Sequence, residues 1–219
     1  MLFRAFAWVS WNTLLALIPV VLAYTIQGIS CSNQGHSSSV KKVLMMILGL
    51  AWLAFIPNTC YLLTEWRHFL SYIGYSGLWA TWHLDSGAAL QMMVYTLFYA
   101  IYSGIGVVTF ALAIRPIANI VRQRGASLWI WGMLFFLLMS VGVYLGLVLR
   151  FNSWDLLSRP ELVWRSMLQV LERPILFAFI VIFAMFLWVL YFTVDIWMDG
   201  LAARFGHLRQ AFSGCKQNR

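Results

Sequence analysis

The stretch FIPNTCYLLTEWRH, Phe55 to His68, joins the end of a long apolar run to a burst of polar groups. Pro57 has no N–H to donate to the carbonyl of Leu53, so the helical hydrogen-bond ladder is broken there. Asn58, Thr59, Tyr61, Thr64, Glu65 and His68 then follow within three turns. Freed backbone groups and polar side chains at the end of an apolar run read as the last turn of a membrane-spanning helix opening into a polar site. The same residues also read as a plain proline kink in which Asn58 restores the lost hydrogen bond.

The rest of the chain supports a membrane setting. Of its 219 residues 62% are hydrophobic and 10% are charged, and the mean hydropathy is +0.80. A soluble globular domain does not reach such values. The 12 Trp, 9 Tyr and 16 Phe gather near the ends of the apolar runs, where amphipathic rings sit at headgroup level. The net charge of +8 is spread over loops and the C-terminal segment without a dense basic tract. It reads as topology and attraction to anionic lipid, not as nucleic-acid binding. Cys31, Cys60 and Cys215 show no C-x-x-C spacing and are expected as idle thiols.

A core of about 30 Å takes roughly 20 helical residues to cross. Five segments qualify: 5–29, 43–63, 88–114, 128–149 and 175–194. The first begins after a single positive charge and runs for about 25 residues, too long for the apolar region of a signal peptide, so it is expected to be retained. The fourth carries Ser140, Gly142 and Gly146, a small face that lets another helix approach. The fifth is bulky all round and is expected to face lipid. The predicted fold is therefore all-α, a polytopic transmembrane helix bundle of about five spans in a single domain over 1–219, with a mobile tail from about residue 213.

Counting Lys and Arg in the connections sets the orientation. Lys41, Lys42, Arg115, Arg122, Arg124 and the C-terminal Arg204, Arg209, Lys216 and Arg219 fall on one side. Arg4, Arg67, Arg150, Arg159, Arg165 and Arg173 fall on the other, among most of the acids. The positive-inside rule then predicts an outer N-terminus and a cytoplasmic C-terminus. Arg115, Arg122 and Arg124 read as a solvated loop, and Asp195 and Asp199 as residues closing the fifth span.

With five spans, the connections after the second and the fourth share one face, and they hold the densest polar clusters. The first carries Trp66, Phe69, Tyr72, Tyr75, Trp79 and Trp82 at helical spacing, interrupted at Gly74 and Gly77. That pattern predicts short helices lying in the interface. The second contains Ser158, Pro160 and Glu161, a capping box. Beyond it, Leu162, Val163, Met167, Val170 and Leu171 lie on one face against Arg165, Gln169, Glu172 and Arg173, so a second interfacial helix is expected.

Glu65 and His68 stand three residues apart, the relation in which a carboxylate and an imidazole project from one helical face. His83 and Asp85 end the same connection and complete a candidate set for a divalent metal. The plain alternative pairs Glu65 with Arg67 or Arg150 and leaves both histidines as interfacial hydrogen-bonding groups. Arg150, Asn152, Ser153, Trp154 and Asp155 form the other cluster. An arginine among an amide, a hydroxyl and a carboxylate suits fork-like recognition of phosphate, an ion pair with Glu65, or simple anchoring at the interface.

On FIPNTCYLLTEWRH at 55–68 and YLGLVLRFNSWDLLSRP at 144–160, the chain resembles the domain of unknown function 1361 family of bacterial and archaeal integral membrane proteins. The family pattern F-x-P-N-x-x-Y-x-x-T-D-x-x-H is met by Phe55, Pro57, Asn58, Tyr61, Thr64 and His68. R-x-N-S-W-D is met by Arg150, Asn152, Ser153, Trp154 and Asp155. Glu65 replaces the expected Asp and lengthens the arm by one methylene. The resemblance aligns Asp85 with a further acidic position. It implies a multi-span protein of a prokaryotic plasma (inner) membrane and no particular activity, substrate or cofactor.

Two functional expectations follow. The first is a binding or assembly role, as a subunit or accessory protein in the bilayer. Asn58, Tyr61, Thr64, Arg150, Asn152, Ser153 and Trp154 would hold a lipid headgroup, an anion or a membrane-protein partner. The second is an enzyme in which Glu65, His68 and Asp155 bind a metal or act as acid and base on a lipid-linked or phosphate-bearing substrate. A small-solute transporter ranks third, since no span centre carries a charge and only Gln91 lies early in a span.

Overall fold

The computed structural model of the chain describes the backbone of residues 2–31, 39–125, 128–151 and 155–217 and the side chains of 9–31, 39–125, 131–151, 155, 158–169 and 172–205. Every element among the described residues is a helix: α1 (Leu2–Cys31), α2 (Ser39–Phe55), α3 (Pro57–Thr64), α4 (Trp66–Tyr75), α5 (Leu78–Thr81), α6 (Ser86–Gln123), α7 (Leu128–Leu147), α8 (Asp155–Ser158), α9 (Pro160–Glu172) and α10 (Pro174–Gln217). Among the described residues four stretches are long and apolar enough to cross a membrane: Val9–Cys31, Ser39–Tyr75, Ser86–Gln123 and Pro174–Phe205. Trp131–Leu147, in α7, is a shorter apolar helix. Over its 20 residues, α7 rises about 30 Å at 1.5 Å per residue, the thickness of a hydrocarbon core.

The second span is broken twice, at Ile56 and at Glu65, so α2, α3 and α4 follow each other as jointed pieces. At the first joint Pro57 opens α3, where its missing N–H is no loss. The polar group placed on this break is Thr59, whose hydroxyl donates to Ile56 O at 2.8 Å.

Eight residues long, α3 is the wedge of the bundle, touching α1, α6 and α7. Its Leu62 meets Gly106 of α6, where an added Cβ would lie 2.7 Å from Leu62 Cβ. Its Pro57 and Tyr61 meet Gly142 and Gly146 of α7. A Cβ at Gly142 would lie 2.8 Å from Pro57 Cγ, and one at Gly146 would overlap the Tyr61 hydroxyl. The small face of the fourth span therefore receives α3 within the same chain. Around the wedge, Ile56, Cys60, Phe110, Phe136, Met139 and Leu187 join one buried core. Trp52 Nε1 donates to Ala113 O at 2.9 Å, and Ser140 Oγ donates to Ile180 O at 2.8 Å, fastening α7 to α10.

Two helices run beyond the spans expected from the sequence. That of the third span continues past residue 114 through Pro116 to Gln123, and that of the fifth continues past residue 194. In α10 Ile180, Ala184, Leu187, Tyr191 and Asp195 are buried, a single stripe at intervals of three and four. The bulky residues around that stripe, Phe179, Ile182, Met185, Phe186 and Val189 among them, are exposed towards lipid as expected. Ser158 closes α8 and Arg159 precedes Pro160 at the start of α9, so the expected capping box is displaced. Ser158 Oγ lies 3.4 Å from Asp155 Oδ1 instead. On α9 Val163 is buried while Leu162 and Leu168 are exposed; the side chains of Val170 and Leu171 lie outside the described residues.

Overpacking at the wedge is expected to cost about 1–3 kcal/mol. Gly142→Ala and Gly146→Ala should each lower the thermal midpoint of the detergent-purified protein. Gly28→Ala, where nothing lies within 4 Å of an added Cβ, should not. Unfolding followed by intrinsic fluorescence checks this, and equal midpoints for all three would contradict the packing described.

Candidate functional site

The seating of Tyr61 on Gly146 decides what lies near the end of α7. Four residues beyond Gly146 the chain reaches Arg150, whose φ of 59° puts it in the left-handed region. This conformation suits glycine and is uncommon for a side chain as large as arginine. The turn ends α7: Val148 N–H donates to Tyr144 O at 2.9 Å and Phe151 N–H to Leu145 O at 3.0 Å. Glycine is the usual residue at such a helix end. The exposed side chain of Arg150 is therefore presented by a backbone that would relax without it.

Across from Arg150, the second joint of the broken span presents Glu65 and His68. Glu65 is 7% exposed, and its Oε2 is buried with no hydrogen-bond partner among the described residues. Beside it stands the half-exposed ring of His68, with Nε2 3.8 Å from Oε2. The charges of Arg67 and Arg150 both bear on His68. Glu65 in turn bears on the hydroxyls of Tyr99 and Tyr102 of α6. Asn12 and Thr13 of α1 reach the Tyr102 hydroxyl, and Ser103 Oγ lies 3.4 Å from Leu62 O. A polar pocket thus forms behind Glu65 from α1, α3 and α6. Sequence reading missed its α1 and α6 members, because nothing in their local pattern shows which way they face.

The remaining predicted site residues divide. Asn58 is buried at the head of α3, and the Thr64 hydroxyl donates back to Tyr61 O at 3.0 Å. Asp85 is the N-cap of α6, with Oδ2 accepting from Ala88 N–H at 2.9 Å. His83 stands edge-on to Trp82, ring centres 5.8 Å apart. Neither joins Glu65 and His68. Among the described residues no group of three His, Cys, Asp or Glu side chains comes together to hold a metal ion. Asp155 opens α8, half-buried; Asn152, Ser153 and Trp154 lie outside the described residues. The aromatic connection roofs this end: Phe69, Ile73 and Leu78 pack with Tyr95 and Tyr99 of α6, and Gln91 Nε2 donates to the Tyr72 hydroxyl at 2.9 Å.

Beneath Tyr61 and Phe151 lies a cavity of about 280 Å3 between α2–α3, α7 and α9, floored by Gly142 and lined by Leu50 and Leu138. These two leucines are exposed, so it opens sideways towards the bilayer.

At the opposite end of the bundle a second polar cluster corrects the expected loop. Arg115 Nε lies 3.4 Å from Asp195 Oδ1 and also meets Asp199, and Arg122 lies 3.6 Å from Asp195 Oδ2. The arginines sit on the extension of α6 and the acids on that of α10. They are bridging groups, neither free loop charges nor helix ends.

Broken apolar helices around a polar pocket, capped by amphipathic helices, define a multi-pass helical membrane protein. The family model for the protein of unknown function DUF1361 matches residues 11–190, and the chain belongs to that family. No curated protein and no solved structure matches the chain.

Two expected outcomes follow. Arg150→Gly should leave stability unchanged or raise it by up to about 1 kcal/mol of relieved strain; a marked fall in the thermal midpoint would make Arg150 a structural residue. Asp195→Ala leaves two arginines without their buried partner and should destabilise more than Asp199→Ala, where the carboxylate is exposed. Midpoints measured in one detergent check both.

Proposed function

We propose that the protein is a binding or accessory subunit of a prokaryotic inner membrane. Its polar site then faces outward, with the N-terminus outside and the C-terminus in the cytoplasm, the orientation that the distribution of Lys and Arg supports. The site holds the phosphate of a lipid headgroup. The observation that carries this reading is Arg150, an exposed arginine held in a backbone conformation that favours glycine, with Arg67 and His68 beside it. A guanidinium, an imidazole and the backbone of a broken helix offer donors to phosphate oxygens. The cavity under Tyr61 and Phe151 supports the choice of a lipid, because an apolar chain there would emerge into the bilayer beside the headgroup. Asn152, Ser153 and Trp154, next in sequence to Arg150, are proposed to complete the site.

Inorganic phosphate is the direct probe. A ligand that binds only the folded state raises the midpoint by mass action. Millimolar phosphate should therefore stabilise the wild type beyond chloride of equal ionic strength, and Arg150→Gly should lose that increment. Equal increments in both would refute the reading.

A second reading rests on the buried Glu65 beside His68, a carboxylate and an imidazole suited to metal binding or to acid and base work. Elemental analysis of the wild type and His68→Ala distinguishes it. A near-stoichiometric metal that disappears in the variant would favour an enzyme, and protein without metal that remains folded would favour the binding role.

A further inference from the structure

A cavity of about 420 Å3 lies away from this site, at the end of the bundle where α6, α7 and α10 approach the opposite membrane face. Its floor is Trp52, anchored to Ala113 O, and its mouth carries Arg122 and Arg124. From Ala113 to Arg124 the helix rises about 16 Å at 1.5 Å per residue, the depth of one leaflet's hydrocarbon. Trp131 and Phe135 form the α7 wall, and Trp131 is exposed to the lipid side. The body of the groove is apolar, and its polar groups lie at one end. An amphiphile with a long apolar chain and a charged head has that shape.

Two observations give the sign and position of the head. Among the described residues Arg124 is exposed and has no carboxylate partner, while Arg115 and Arg122 share Asp195 and Asp199. Three guanidinium groups against two carboxylates leave one positive charge at the mouth. One turn below Asp195, Tyr191 lines the groove, and its hydroxyl is buried with no hydrogen-bond partner among the described residues. A buried hydroxyl without a partner is costly. An ester oxygen at that depth would accept its proton.

We infer that this groove is a binding site for an anionic phospholipid of the leaflet containing the α6–α7 connection. One acyl chain lies along Trp131 and Phe135, an ester oxygen meets Tyr191, and the phosphate meets Arg122 and Arg124. The site is separate from the one at Arg150 and does not depend on it.

Native mass spectrometry of the full-length protein in detergent, titrated with dioleoyl phosphatidylglycerol and with dioleoyl phosphatidylcholine, tests this. The wild type should bind one phosphatidylglycerol about tenfold more tightly than phosphatidylcholine, as expected for charge-assisted hydrogen bonds. Arg124→Gln should remove most of that preference. Ala118→Phe, which fills the groove from α6, should weaken both lipids. The inference is overturned if Arg124→Gln keeps the wild-type preference or if the two lipids bind alike. Arg124 is exposed, so its substitution decides the matter even if Ala118→Phe fails to fold; helicity by circular dichroism verifies each variant.

Discussion

The close approach of α3 to α6 and α7 is the constraint on which the rest depends. In a bilayer, helices gain little from hiding apolar surface, because lipid is as apolar as leucine; contact has to be made by fit. Here the fit is a proline, a tyrosine and a leucine seated on three glycines, Gly142, Gly146 and Gly106. Neighbouring groups depend on it. The joint at Glu65 lies one residue past the wedge, and Arg150 lies four residues past the glycine under Tyr61. Glu65 and Arg150, 85 residues apart in sequence, are thereby held at one end of the bundle.

That arrangement explains why the polar groups tolerate their surroundings. Glu65 is buried, yet the hydroxyls of Tyr99 and Tyr102 of α6 feel its charge and the half-exposed ring of His68 stands 3.8 Å from it. The bilayer excludes water from most of the molecule, and the broken second span admits polar chemistry at one depth without unsatisfied backbone across the membrane. The amphipathic α4 closes over this opening with Phe69 and Ile73 inward.

The amino-acid sequence disclosed the parts governed by local rules. Five apolar runs, the break at Pro57, the small face at Gly142 and Gly146 and the interfacial helices are all readable from period and composition, and so is the likeness to the DUF1361 family. Relations between helices were not readable. Period alone does not show that Tyr102 turns towards Glu65, or that Asp85 caps α6. Helix ends were misjudged wherever charge was taken for loop. Arg115 and Asp195 look like boundaries when each is read alone, and they are interior to longer helices because they compensate one another. The left-handed backbone of Arg150 leaves no trace in composition, since arginine has no preference for it.

That compensation also bears on biosynthesis. Synthesis runs from the N-terminus, so Arg115 and Arg122 leave the ribosome some seventy to eighty residues before Asp195 and Asp199. During that interval they are cations at the end of the third span without these carboxylate partners. Once α10 has packed, the same guanidinium groups meet the buried Asp195 and the exposed Asp199. The last helix to be made thus supplies the partners for charges that the third span already carries.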